Sequence, residues 1–168
     1  MAFPLAAFQG DTIYLDTNVL VGLVDADSPY HPACAIFFQR AIDAEPQIQL
    51  ITATLTLDEV VFILLQEMLL REPYHITRSR SQYLHTHPEI VRTLMGQLDP
   101  LLDALCTLVV LEPVTVADIT AMRHEMRAYG TLPRDAIHLA VMQRRGLTAI
   151  ASDDVGFDNR PDITLFQP

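Results

Sequence analysis

Short hydrophobic runs alternate along the chain with longer segments of helical periodicity. Five runs rich in aliphatic and branched side chains predict β-strands at 12–15, 48–52, 108–112, 148–152 and 163–166. The periodicity between them predicts helices at 18–25, about 32–44, 56–70, 89–107, 115–129 and 133–145. Strands that are separated by helices favour a parallel sheet with helices on both faces. We therefore predict an α/β fold, a three-layer α/β/α sandwich with a central parallel sheet.

The size and composition of the chain fit one domain. It has 168 residues, of which 50% are hydrophobic, enough to bury a sizeable core. Cys34 and Cys106 stand alone in apolar contexts and are predicted to be small buried hydrophobes. The opening residues lack the positive charge of a secretory signal, and the longest apolar run, 60–65, is too short to span a bilayer. We expect a cytoplasmic protein that does not enter a membrane.

The charge pattern disfavours several classes of protein. All eleven basic residues are arginine and the formal net charge is −10. The absence of lysine disfavours a phosphate-loop NTPase, a Schiff-base enzyme and a receiver domain. The acidic balance also argues against a polyanionic partner, because nucleic-acid binders usually present basic surfaces. A divalent cation bound to clustered carboxylates would reverse the local charge and remove that conflict.

Carboxylates follow the predicted strands at the edge of the sheet where ligands gather. Asp16 ends the strand at 12–15, and Asp153 and Asp154 follow the strand at 148–152. Glu59 and Asp135 lie in the first turns of two predicted helices. Like charges gathered there repel one another unless a cation neutralises them, and oxygen ligands select Mg²⁺ or Mn²⁺. The sequence therefore predicts a divalent metal site.

Most of these acids also have a structural interpretation. Glu59 fits the last position of a capping box that begins at Thr56. The helix dipole favours Asp135 near a helix start, and the acidic pair before Gly156 suits a turn. Asp16 has no comparable explanation, because it ends a hydrophobic strand where an unpaired charge is costly. The four positions together are more informative than any one of them.

Four motifs carry a resemblance to a known family. The segments "YLDTNVLV", "TLTLDEVVF", "LPRDAIHLAVMQRRG" and "IASDDVGFD" resemble, in this order, the acidic motifs of the PIN-domain nucleases. The match covers nearly the whole chain, with 65–110 the least similar part. It implies one PIN-like domain over 1–168 with a helical, insertion-like segment at about 66–106. It implies catalytic, metal-coordinating acids at Asp16, Glu59, Asp135 and Asp154, with Asp153 as the alternative fourth acid, and supporting side chains at Thr17, Asn18 and Ser152.

The resemblance implies a Mg²⁺- or Mn²⁺-dependent endoribonuclease of the VapC toxin type. Divalent ions would activate a water and stabilise charge on the phosphate, so no Ser-His or Cys-His nucleophile is needed. Asn18 is interpreted either as a support of the acids or as a helix cap, and both remain open. His138 shares a helical face with Asp135, but its apolar context predicts a packed, hydrogen-bonded core residue outside the catalytic set.

Several partners follow from the same resemblance. The acid-free segment 73–88 carries Arg78 and Arg80 and is a candidate RNA contact, although a solvated connection between helices explains it as well. An antitoxin protein is an expected partner, and the apolar helix 57–70 suggests a homodimer. The alternative function is a non-catalytic PIN-fold module that binds RNA or protein. All four acid positions are filled, which argues against that alternative.

Overall fold

A computed structural model describes residues 2–168, apart from the side chain of Asn159. Its six strands form one parallel sheet in the order β1-β6-β5-β2-β3-β4. The strands are β1 (Phe3–Pro4), β2 (Thr12–Leu15), β3 (Gln49–Ala53), β4 (Val110–Glu112), β5 (Ala149–Ala151) and β6 (Thr164–Gln167). The helices are α1 (Thr17–Val24), α2 (His31–Asp43), α3 (Thr54–Met68), α4 (Arg80–Thr86), α5 (Pro88–Leu108), α6 (Val116–Tyr129) and α7 (Pro133–Arg145).

Strand β2 lies at the centre of the sheet and is where the strand order reverses. The chain leaves β2 on one side to form β3 and β4, and returns on the other side to form β5 and β6. Such a switch point opens a crevice beyond the carboxyl ends of the strands, where α/β proteins bind ligands. The crevice lies between β2 and β5, and Asp16 and Ser152 follow these strands directly.

Alternate side chains of β2 build two separate cores. Ile13 and Leu15 belong to the larger cluster, together with residues of α1, α2, α3 and α5. Tyr14 belongs to the second cluster, which includes Leu139 and Met142 of α7. A strand that is buried on both faces reads as a continuous hydrophobic run, as "TIYL" does. The predicted three-layer α/β/α architecture is therefore confirmed.

The element boundaries differ from the predictions at several places. α3 begins at Thr54, two residues earlier than predicted, and α5 extends to Leu108, so β4 begins at Val110. Pro100 stays inside α5 and lies exposed. The two-residue strand β1 was not predicted, because only its pairing with β6 makes it a strand. The segment 66–106 contains the end of α3, all of α4 and most of α5.

The two cysteines differ in environment. Cys34 is buried, as predicted, and burial raises the pKa of its thiol to about 11. Cys106 is exposed, so the prediction for this residue was wrong. Its neighbour Leu105 belongs to the buried stripe of α5 with Leu94 and Leu98, and one step along a helix turns the next side chain away from that stripe.

None of the helices in residues 2–168 combines the length and the hydropathy needed to cross a membrane.

Candidate active site

Asp16 is the residue at which β2 turns into α1, and its carboxylate is held by three donors. The Asp16 amide donates to Ala151 O at 3.0 Å, which joins the ends of β2 and β5. Oδ1 accepts from the Thr17 amide at 2.7 Å. Oδ2 accepts from Ser152 Oγ at 2.5 Å and from Asn18 Nδ2 at 3.1 Å. This buried acid is therefore paired with hydrogen-bond donors, as a carboxylate at the end of a core strand must be.

Asn18 connects the two segments that flank the crevice. Its amide nitrogen also lies 3.2 Å from Ser152 Oγ, and its Oδ1 accepts from the Asp153 amide at 3.1 Å. The N-cap of α1 is Asp16, so the helix-cap interpretation of Asn18 was wrong. Asp16 therefore also has a structural role, which the sequence analysis did not assign to it. The Asn18 side chain instead orients the ends of β2 and β5 relative to each other.

Glu59 is buried in the second turn of α3 and faces the same crevice. Its Oε2 accepts from Thr17 Oγ1 at 2.6 Å, and its Oε1 forms an ion pair with Arg134 Nη1. The predicted capping box was wrong, because α3 begins at Thr54 and Thr56 lies inside the helix. The cation that contacts Glu59 Oε1 is the guanidinium of Arg134.

His138 lies beneath two of the acids. Its Nδ1 is 2.8 Å from Tyr14 Oη, and its Nε2 is 3.8 Å from Asp16 Oδ1 and 4.0 Å from Glu59 Oε2. Burial raises the pKa of Tyr14, so the hydroxyl keeps its proton. The hydroxyl accepts from the Ala53 amide at 3.1 Å and shares a hydrogen bond with His138 Nδ1. The predicted core position is confirmed, and the side chain also approaches candidate metal ligands, the alternative that its place on the helical face of Asp135 suggests.

Asp135 and Asp154 meet on the far side of the crevice. Burial raises the pKa of Asp135, and the negative charges of Asp154 and Asp16 raise it further. Asp154 Oδ1 accepts from the Gly156 amide at 2.7 Å. A Cβ added at Gly156 would lie 3.0 Å from Asp154 Oδ1 and 3.6 Å from Asp135 Oδ2. The missing side chain of Gly156 therefore leaves room beside both carboxylates.

Asp153 faces away from this group. Its carboxylate accepts a hydrogen bond from the Tyr30 hydroxyl, which raises the pKa of Tyr30. Asp154, by contrast, interacts electrostatically with Asp135. The geometry favours Asp154 over Asp153 as the fourth acid.

The two arginines predicted to contact RNA lie elsewhere. Arg80 is the first residue of α4, and its Nη1 is 3.7 Å from Glu67 Oε1 on α3. Arg78 is exposed in the segment before α4. In residues 2–168, neither side chain contacts the four acids, whereas Arg134, which the sequence analysis did not select, contacts Glu59. The position of Arg134 directly before Asp135 is the sequence feature that could have indicated its place beside the acids.

The donor set fits a divalent metal ion. All four candidate ligands are carboxylates, and Asp135 is repelled by its acidic neighbours. No three acid, histidine or cysteine side chains among the described residues already form a metal-binding group. The two oxygens of Glu59 instead contact Thr17 and Arg134, and Oδ2 of Asp16 accepts from Ser152. Ion binding would therefore require small side-chain rotations.

A cavity of about 180 Å³ opens beside Asp135 and Asp154. Tyr129 and Leu132 also line it, and their side chains are 50% and 70% exposed. Asp135 and Asp154 thus stand next to a cleft with an apolar wall. Acids at the carboxyl edge of a parallel sheet are typical of the metal-dependent active sites of α/β proteins.

Comparison with known proteins identifies the family. The sequence model of the PIN domain matches residues 13–162, so the chain belongs to the PIN domain family. The predicted resemblance is confirmed. No curated protein sequence matches the chain.

Solved structures share the fold. The chain is similar to FitAcB from Neisseria gonorrhoeae, with a TM-score of 0.57 and 16% identity over 92% of this chain and 96% of that one. A toxin-antitoxin complex from Klebsiella pneumoniae gives a TM-score of 0.51 and 16% identity over 90% and 95%. VapC20 of Mycobacterium tuberculosis is described as a toxin that cleaves the sarcin-ricin loop. It gives a TM-score of 0.50 and 17% identity over 82% of this chain and 86% of that one. Likeness at these identities shows the PIN fold.

Proposed function

We propose that this protein is a Mg²⁺- or Mn²⁺-dependent endoribonuclease that acts in the cytoplasm. Membership in the PIN domain family supports a nuclease. The observation that carries the proposal is the approach of Asp16, Glu59, Asp135 and Asp154 to one crevice from four separate segments. A structural ion pair would not require four acids.

The four carboxylates would hold the ion, and the residues around them set their positions. When bound, a divalent ion supplies Lewis acidity and lowers the pKa of water. Thr17 fixes Glu59, while Ser152 and Asn18 fix Asp16. His138 Nε2 lies 3.8 Å from Asp16 Oδ1 and 4.0 Å from Glu59 Oε2, beneath both of these carboxylates. The cleft beside Asp135 and Asp154 leaves space for an RNA strand.

Replacement of Asp16 by Asn tests the nuclease function. Purified wild-type protein should cleave single-stranded RNA with Mg²⁺ or Mn²⁺, and Asp16→Asn should lower the rate by about 100-fold or more, because an ion ligand is lost. Asp11→Asn is the matched control, since Asp11 is exposed at the opposite end of β2. Activity that survives in Asp16→Asn would reject the proposal. RNA binding without cleavage by the wild type would favour the non-catalytic module.

An antitoxin is the proposed protein partner. The similar Klebsiella structure is a toxin-antitoxin complex. A chain with a net charge of −10 attracts a basic partner. Pull-down with a co-expressed basic protein from the same operon, followed by loss of RNA cleavage in the complex, tests this proposal.

A homodimer through α3 is the second proposed assembly. Val60, Leu64 and Leu65 of α3 are buried within the chain, whereas Phe62 is 45% exposed. Sedimentation of wild type and Phe62→Ser tests the dimer. A monomeric wild type would reject it.

A further inference from the structure

Arg134 places a positive charge against one of the candidate ligands. Its Nη1 forms an ion pair with Glu59 Oε1, and its side chain is 67% exposed, against 7% for Glu59. The largely exposed guanidinium is thus the charge partner of a buried carboxylate oxygen.

Other cations near the cleft are already engaged. Arg160 is buried and pairs with Glu125 and Asp162. His138 is 2% exposed. Among the described residues, Arg134 is the cationic side chain that both contacts the acids and reaches solvent. In so acidic a chain, it is the group available to a polyanion at this site.

We propose that Arg134 exchanges partners during the reaction cycle: it neutralises Glu59 in the ion-free protein and binds a phosphate of the RNA once a divalent ion has taken Glu59. The inference rests on the proposed nuclease function. Water screens the exposed guanidinium side of this ion pair, whereas a divalent ion carries twice the charge and binds oxygen directly, so the ion displaces the arginine. The freed guanidinium has planar donors that suit phosphate, and α7 keeps it next to Asp135.

Titration calorimetry with Mn²⁺ tests the first half of the exchange. Arg134→Ala should lower the Kd for Mn²⁺ by about threefold to fivefold, because the competing cation is gone. Arg134→Lys should fall between that variant and the wild type. Arg127→Ala is the matched control, because Arg127 is exposed in the last turn of α6 and forms no ion pair in the described structure. An unchanged Kd in Arg134→Ala, or an equal fall in the control, would overturn the exchange.

The salt dependence of RNA binding tests the second half. Anisotropy of a fluorescein-labelled, short single-stranded RNA is measured at several KCl concentrations with Mn²⁺, in an Asp154→Asn background that slows cleavage. Arg134→Ala should reduce the slope of log K against log salt by about 0.7, the amount for one phosphate contact. Arg127→Ala should leave the slope unchanged. When EDTA replaces Mn²⁺, Arg134→Ala should have the same slope as the Asp154→Asn protein without it. An unchanged slope with Mn²⁺ would overturn the phosphate contact.

The nuclease proposal and this inference fail in different ways. If the wild type gives both Arg134 responses but leaves RNA intact, the nuclease proposal fails and the exchange stands. If Asp16-dependent cleavage occurs while Arg134→Ala changes neither Mn²⁺ affinity nor salt slope, the exchange alone fails. A wild type that does not bind RNA with Mn²⁺ overturns both.

Discussion

Thr17 and Glu59 are joined by a hydrogen bond of 2.6 Å although 42 positions separate them along the chain. The Thr17 hydroxyl on α1 thereby fixes a carboxylate on α3. The Thr17 amide also donates to Asp16 Oδ1. One residue thus orients two of the candidate metal ligands.

Thr17→Val should weaken both the fold and ion binding. The substitution keeps the shape of the side chain but removes the donor to buried Glu59 Oε2. We expect a loss of about 1–3 kcal/mol in the free energy of unfolding, measured by urea denaturation. The Kd for Mn²⁺ should rise by roughly tenfold, because Glu59 is no longer oriented.

Thr17→Ser tests the contribution of the hydroxyl separately from that of the rest of the side chain. It retains the donor and should keep most of the Mn²⁺ affinity. Equal losses of Mn²⁺ affinity in the Ser and Val variants would show that the hydroxyl does not orient Glu59.

Asp135 should make the stability of the ion-free protein depend on pH. Burial first, then Asp154 and Asp16, raise the pKa of Asp135. Between its unfolded and folded pKa values the folded state binds more protons, so the free energy of unfolding falls as pH rises through that window. Asp135→Asn should therefore melt at a higher temperature than the wild type near neutral pH in EDTA. The difference should vanish below about pH 3.5, where the unfolded group is also protonated.

Thermal melting followed by circular dichroism over this pH range measures the effect. Asp99→Asn serves as the control, because Asp99 is exposed on α5 and its removal should give no such pH dependence. Saturating Mg²⁺ should stabilise the wild type more than Asp135→Asn. A wild type that is the more stable protein near neutral pH in EDTA would contradict the assignment.

Gly156→Ala should disturb the site while sparing the fold. The new Cβ would lie 3.0 Å from Asp154 Oδ1, so this carboxylate must move. We expect RNA cleavage to fall by roughly 10- to 100-fold, since small misplacements of a catalytic group carry such costs. The free energy of unfolding should change by about 0.5 kcal/mol or less, because Gly156 is exposed.

Gly96→Ala is the companion variant. Gly96 lies in α5 with nothing within 4 Å of an added Cβ. It should gain about 0.5–1 kcal/mol in stability and leave cleavage unchanged. Full activity of Gly156→Ala would show that the acids do not need this space.

The fold was predictable where burial alone determines an element. "TIYL" is hydrophobic throughout because Ile13 and Leu15 face one core and Tyr14 the other. The ends of α6 and α7 were predictable because Gly130 and Gly146 adopt the left-handed conformation there, with φ of 69° and 67°. Strand β1 was missed because its two exposed residues carry no pattern of their own.

The sequence predicted which acids belong to the site, but not the contacts that their side chains make. A carboxylate after a hydrophobic strand is visible locally, so Asp16 stood out. The start of α3 was missed because Thr56 and Glu59 match a capping box that the helix does not use. The partners of Glu59 come from α1 and α7, and such pairings depend on tertiary packing that the local sequence does not encode.

Because β5 lies beside β2, the site cannot form before β5 has been synthesised. Ser152 reaches Asp16 across 136 positions of chain. While β5 is still inside the ribosome, both Ser152 and Asp154 are absent from the crevice. Translation of nearly the whole domain therefore precedes assembly of the four acids, so the complete site appears only at the end of synthesis.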